Sequence, residues 1–194
     1  MKEMLIATHS EGKLQEYKSY LGQLDYKLVS LMELGIKDIS PEVGNTFLEV
    51  AQNKALFYSR FTKLPIVAED SGLEIHALGG FPGVLSDRWM KGSEAQRNLG
   101  ILIKMRAIRD RKATFRAVIV YVHKKEQVSF MGQMSGEITH KPEGVMGFGY
   151  DPIFYVPARK RTLGQIVLLE KNQISHRAQA IQKLASYIKK FKPQ

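Results

Sequence analysis

Apolar residues follow two periodicities along this chain. The short continuous runs MLIA (4–7), KLVSL (27–31) and LPIVA (64–68) have the length and the bounding turn residues of buried strands. ATFRAVIVYV (113–122) and QVSFMGQM (127–134), separated by the polar HKKE, predict a long antiparallel hairpin. LEIHAL (73–78) alternates and predicts a further, partly exposed strand. Between these runs the spacing turns helical. Leu14, Tyr17, Leu21 and Leu24 form one stripe. Phe47, Val50, Ala51 and Phe57 form a second, in a helix opened by a Thr46–Glu49 capping box and ending near Lys63. Leu99, Leu102, Met105 and Ile108 make a third, started by Ser93 with Gln96. Ile174, Ala178, Ile181, Leu184 and Ile188 belong to a last helix from about Ser175 to Phe191. Pro41 and Gly44 keep ELGIKDISPEVGN irregular. Strand–helix–strand units recur, which makes the class α/β.

Composition narrows the picture. With 194 residues, 44% apolar and 25% charged, the chain can build one folded domain, or one domain split into two lobes around a cleft. No repeat, low-complexity stretch or linker divides it, so residues 1–194 read as a single domain. The absence of cysteine excludes disulfides, thiolate catalysis and Cys-based zinc sites. No apolar run approaches the ~20 residues of a membrane span, and MKEMLIATHSEGK turns polar too soon for a signal peptide. The expected location is the cytoplasm. A net charge of +10 points to an anionic partner such as a nucleotide, a nucleic acid or a membrane surface, without choosing among them. The densest basic runs, KMRAIRDRK (104–112), ARKR (158–161) and KKFK (189–192), fall late in helices or in a loop, where they also complement helix dipoles.

Candidate chemistry gathers at strand and helix ends, where α/β folds collect ligands. In THSEGK, helix-start amides with Lys13 make an anion site, to which Thr8 and Ser10 can add hydroxyls; a simple N-cap at Ser10 explains the same residues. EDSG places Glu69 and Asp70 side by side after an apolar strand, two like charges that a mere turn would not select. With Glu42 from the loop before the Thr46 capping box they suit an oxygen-liganded Mg²⁺ that shares a substrate's phosphates, the alternative being a loop of acids that are solvated or paired to Lys or Arg. Phe148, between Gly147 and Gly149, could stack on a base or lie under a turn as a core aromatic. His176 and Arg177 fall in the first turn of a helix, where cations oppose the macrodipole, a choice that favours function over stability.

Five ordered blocks, ATHSEGKLQE, EVGNTFLEVAQNKA, VAEDSGLEIHALGGFPGVLSDRW, GFGYDPIFYVP and EKNQISHRAQA, resemble the inosine triphosphate pyrophosphatase family nearly end to end. The resemblance implies a long mixed sheet with flanking helices, two lobes around a nucleotide-binding cleft, and a homodimer. It implies Mg²⁺-dependent hydrolysis of non-standard purine nucleoside triphosphates (ITP, dITP, XTP) to the monophosphate and pyrophosphate. Carried over by position, Thr8, His9, Ser10, Glu11, Gly12 and Lys13 would contact substrate, Glu42 and Asp70 would hold Mg²⁺ with Glu69 as a third candidate, and Asp70 would accept the proton. Ser71, Phe148, Gly149, Tyr150, Asp151, Lys171, His176 and Arg177 would bind the nucleotide, and Lys54 would join Lys13 on the triphosphate.

The chain departs from that pattern at Ser10 and Val50, each usually Asn, at Glu69, usually Asp, and at Leu163, Gly164 and Gln165, usually Phe-Ala-Glu. Those departures and the +10 charge define a second reading, a basic nucleotide- or nucleic-acid-binding protein with weak or no hydrolysis. A third is a hydrolase for modified pyrimidine or other damaged nucleotides. No membrane partner is implied.

Overall fold

The computed structural model describes residues 2–22 and 24–191; Lys192 of the KKFK run lies outside them. The described residues form seven strands and five α-helices: β1 (Lys2–Ala7), α1 (Glu11–Leu21), β2 (Tyr26–Ser30), α2 (Phe47–Tyr58), β3 (Ile66–Ile75), α3 (Glu94–Lys104), β4 (Lys112–His123), β5 (Glu126–Ile138), β6 (Phe154–Val156), β7 (Arg161–Thr162), α4 (Leu168–Ile174) and α5 (His176–Phe191). The strands run in the order β2-β1-β3-β4-β5-β6-β7 in one mixed sheet. β1 pairs in parallel with both β2 and β3, which is why the helices α1 and α2 are needed as crossovers, whereas β6 pairs antiparallel with β5 and β7. None of the described helices is long and apolar enough to cross a membrane.

The chain divides into two compact units. Unit 1 comprises residues 1–70, 117–132 and 176–194, and unit 2 comprises residues 71–116 and 133–175. The chain passes from one to the other inside β3, β4 and β5, and again at Ser175–His176. Unit 1 has two cores. In the first, α1 and α5 bury Leu14, Tyr17, Leu21, Ile181, Leu184 and Ile188 with Met4 and Ile6 of β1; in the second, α2 buries Ala51, Ala55 and Tyr58 with Leu5, Val29 and Ile66. Unit 2 has one core, in which Ile101 of α3 and Met105 at its C-cap meet Leu73, Ile75, Phe115, Ile153, Phe154 and Leu163.

Several expected elements take different bounds. LPIVA and LEIHAL are not two strands: β3 runs without a break through Glu69, Asp70 and Ser71, and His76–Leu78 is a 3₁₀ turn. The two carboxylates therefore stand in a strand and not in a loop. α2 ends at Tyr58, earlier than Lys63, and the Thr46 cap is offset: Thr46 Oγ1 accepts from Glu49 N at 3.1 Å, but Glu49 Oε2 accepts from Asn45 N at 2.8 Å. In α3 the buried face is Asn98, Ile101 and Met105, and Leu99 is 56% exposed. Two apolar rows compete on that helix, and periodicity cannot say which meets the core. α4 was not expected from the pattern; it is one short helix ending where Ser175 breaks to start α5.

α5 reaches its place because β5 has no side chain at Gly132. A Cβ there would lie 2.0 Å from the carbonyl oxygen of His176 and 2.8 Å from Ala180 N. The first turn of α5 thus rests directly on strand backbone, which fixes where His176 and Arg177 emerge. Gly132→Ala is expected to lower stability by at least about 2 kcal/mol through forced backbone displacement, read as a fall in the urea midpoint.

Candidate functional site

Parallel pairing of β1 with β3 in the register Ala7↔Ala68 brings the residues after Ala7 level with Glu69. Ser10 caps α1, its Oγ accepting from Lys13 N at 3.4 Å, and Ser10 N donates to Thr8 Oγ1 at 3.1 Å. Both hydroxyls thus shape the loop itself. His9 is exposed, with Nε2 3.4 Å from Asp38 O and 3.3 Å from Tyr58 Oη. Glu11 is exposed in the first turn and Gly12 is half-buried.

Lys13 and Lys54 converge on the β3 acids. Lys13 Nζ lies 3.6 Å from Glu69 Oε1. Lys54 Nζ donates to Glu42 Oε1 and to the backbone carbonyl of Glu69, each at 3.2 Å, and stands 4.0 Å from Asp70 Oδ1. Glu69 is held on all sides: Tyr17 Oη donates to Oε2 at 2.8 Å and Arg177 Nε to both oxygens at 2.9 Å. Arg177 is itself buried and also donates from Nη1 to Glu16 Oε2 at 2.8 Å.

Glu69 and Asp70 are each only 5% exposed, yet their situations differ. Glu16, Glu42 and Glu69 each have a cation within 3.2 Å, whereas the nearest to Asp70 is Lys54 at 4.0 Å. Oδ2 of Asp70 is buried and has no hydrogen-bond partner among the described residues. Burial pushes the Asp70 carboxyl up to about 6; Lys54 and Lys13 pull it down, and Glu42 and Glu69 push it further up. Burial also acts to lower the Arg177 pKa, but Glu69 and Glu16 outweigh it and the guanidinium is raised.

The described residues hold no group of three or more His, Cys, Asp or Glu side chains arranged as a metal cage. The oxygen donors present still fit a hard cation of the Mg²⁺ kind, which binds through one or two carboxylates and takes its remaining positions from water and phosphate. Asp70, with its unsatisfied buried oxygen, and Glu42 fit that description. Glu69 does not, since both its oxygens are committed to Tyr17 and Arg177.

In unit 2 the segment Phe148–Asp151 is a built turn. Gly147 has φ 75°, and a Cβ there would lie 2.0 Å from Asp151 Oδ2, so the carboxylate can fold back to accept from Phe148 N at 3.0 Å. The same oxygen accepts from Lys171 Nζ at 2.6 Å, and that ammonium sits 4.3 Å from the centre of the Phe148 ring. Asp151 and Lys171 are fully buried while Phe148 is half-buried, so a ring face is steadied on a charged pair beneath the surface. Tyr150 turns inward: its hydroxyl donates to Ser86 O at 2.6 Å and accepts from Trp89 Nε1 at 2.7 Å, and burial raises its pKa to about 12. Its side chain belongs to the core. Ser71, which follows Asp70, is half-buried in β3. His176 is buried at the head of α5. Gln165, at the position where the resemblance has a glutamate, is exposed and caps Thr162 N at 2.9 Å through Oε1, a function either side chain can serve. Val50, on the apolar stripe and where the resemblance has an asparagine, is fully buried in α2.

Glu16, Tyr17 as a hydrogen-bond donor, and Asn98 escaped the sequence reading. The one available signal for Glu16 was an acid three residues after Lys13, between Leu14 and Tyr17 of the apolar stripe.

The comparisons with known proteins agree in direction. The model of the Ham1 family matches residues 4–187. A dITP/XTP pyrophosphatase of Yersinia pestis is 41% identical over 189 residues, covering 93% of this chain and 95% of its own, and that of Bacillus subtilis (strain 168) is 39% identical over 193 residues, covering 97% and 98%. The structure of a HAM1 protein from Coxiella burnetii superposes with a TM-score of 0.89 at 38% identity, covering 98% of this chain and 100% of that one. The Staphylococcus aureus Ham1 protein gives 0.88 at 36%, covering 97% and 99%.

Two measurements follow from the charges. Because folding raises the Asp70 pKa, the native state binds the extra proton between about pH 4 and pH 6, and ionised Asp70 weakens the metal-free fold above that window. Asp70→Asn should raise metal-free stability at pH 8 by about 1–3 kcal/mol, the gain shrinking to nothing by about pH 4. Mg²⁺ should raise the Tm of the wild type and not of the variant. Arg177→Met should cost about 3–5 kcal/mol by stranding two buried carboxylates, and adding Glu16→Gln and Glu69→Gln should recover most of the loss in chemical denaturation.

Proposed function

The chain belongs to the Ham1 family, and from that premise we propose that it hydrolyses the α–β phosphoanhydride bond of ITP, dITP and XTP, releasing the nucleoside monophosphate and pyrophosphate. The observation that carries this reading is Asp70: a buried carboxylate with one unsatisfied oxygen, adjacent to two lysines, whose proton affinity is raised into the range a general base needs.

Roles follow from the chemistry of each group. Asp70 takes the proton from the water that attacks the α-phosphorus, and the bond to the bridging oxygen breaks as pyrophosphate leaves. Glu42 and Asp70 would hold Mg²⁺, which would supply neutralisation of phosphate charge and a lowered pKa of water. Lys13, now partnered with Glu69, and Lys54, now shared by Glu42 and Asp70, are ammonium donors able to turn from carboxylate to phosphate oxygens. The amides and hydroxyls of Thr8, His9, Ser10, Glu11 and Gly12 add donors at the start of α1. Ser71 follows the base and donates to the nucleotide.

Phe148 stacks on the purine, with Lys171 and Asp151 setting its plane and the backbone of Gly149 and Tyr150 facing the base edge. His176 and Arg177 supply donors to a 6-oxo group. A guanidinium has five N–H groups, and Glu16 and Glu69 hold this one in a single orientation. Adenine would set an amino donor against such donors, and each unsatisfied buried group costs about 1–3 kcal/mol. Glu69 serves as the counter-ion of Arg177 and Lys13 and is not a metal ligand. A homodimer acting in the cytoplasm belongs to the same reading.

Pyrophosphate release assayed over ITP, dITP, XTP, ATP, GTP and a set of modified pyrimidine triphosphates should show at least about tenfold preference for the first three, dependence on Mg²⁺, and loss of activity in Asp70→Asn. Equal rates across the purines would remove the selectivity, and an active Asp70→Asn would remove the base. Nucleic-acid binding with a steep salt slope and no turnover would replace the hydrolase by the binding-protein reading.

A further inference from the structure

Asn98 is an unexpected side chain for its position. It lies within α3, 4% exposed, on the same face as Ile101 and Met105, and its Oδ1 is buried with no partner among the described residues. Asparagine is a weak helix former, and an unsatisfied buried oxygen destabilises the fold further. A leucine would suit both the helix and the apolar face better. What asparagine provides is one hydrogen bond: Nδ2 donates to the carbonyl of Gly149 at 3.0 Å.

Gly149 has φ 62°, in the left-handed region, directly after the half-buried Phe148. The turn is closed by Asp151, whose carboxylate accepts from Phe148 N and whose own N donates to Phe148 O at 3.2 Å, and the Tyr150 hydroxyl is anchored on Ser86 and Trp89. The tether from Asn98 secures the peptide between these points. We infer that Asn98 is a positioning residue for the base: its side-chain amide fixes the Gly149 carbonyl, and with it the backbone from which the Phe148 ring projects, at the expense of stability. This rests on the proposal that Phe148 stacks on the purine. A turn already ordered before binding loses less freedom when the ligand arrives, so the tether acts on nucleotide affinity and not on the chemical step.

The test uses the full chain with Mg²⁺, ITP as substrate and inorganic tripolyphosphate as a competitive probe that has no base. Asn98→Leu should raise the KM for ITP roughly three- to tenfold, the loss of about one net hydrogen bond. It should leave kcat and the tripolyphosphate Ki within about twofold and keep or raise the Tm. If leucine cannot be accommodated, Asn98→Ala reads the same KM-to-Ki ratio. An unchanged KM overturns the inference, as does a parallel rise of KM and Ki with a fallen Tm, which would mark a purely structural residue. Phe148→Ala separates the two levels. If it raises KM while Asn98→Leu does not, only the tether fails; if it leaves KM unchanged, the stacking proposal and the tether fail together.

Discussion

A guanidinium taken out of water between two carboxylates governs unit 1. Arg177 bonds to Glu16 from α1 and to Glu69 from β3, and none of the three could be buried without the others. Tyr17 and Lys13 complete the shell around Glu69. The acid next in the chain is left with the weakest pairing, so its burial, only partly offset by Lys54 and Lys13, raises its proton affinity. Adjacent carboxylates with opposite fates, one saturated and one starved of partners, are how a single strand carries both a structural anchor and an acid with an oxygen to spare. Glu69 in place of aspartate gives the anchor one methylene more reach.

Unit 2 solves a different problem with similar means. An aromatic ring left partly exposed cannot be fixed by packing alone. Phe148 is held from below by the Lys171–Asp151 pair, buried and hydrogen-bonded to the backbone of the ring's own residue. Gly147 lets that carboxylate approach, and Tyr150, the aromatic two residues on, gives its ring and hydroxyl wholly to the core.

Much of this was legible beforehand. The strand runs, the Ser93–Gln96 box, the α5 stripe and the α/β class depend on local pattern, and local pattern is what a sequence displays. EDSG reads as a break between two strands because polar residues with a glycine look like a turn, whereas burial and pairing make them strand. Leu99 against Ile101 could not be decided, since both lie on apolar rows and only the neighbouring elements choose. Glu16 and Asn98 were invisible for a stronger reason: each is a polar residue in an apolar face, and its partner stands 161 or 51 residues away in the chain. Arg177 was noticed because its placement offends the helix dipole, but the carboxylates that hold it could not be named.

The distance along the chain between Arg177 and its partners also bears on how the molecule comes into being. Glu16 and Glu69 precede it by 161 and 108 residues, and unit 1 draws on three separate stretches of polypeptide, the last of them α5. During synthesis the early strands and helices emerge with their acids still hydrated, and the cation that allows those acids to be enclosed follows more than a hundred residues later. Unit 2 is translated in full before that moment. Long-range closure of this kind is entropically slow, so enclosure of the carboxylates must wait for α5, and until then the neighbourhood of Asp70 stays open to solvent.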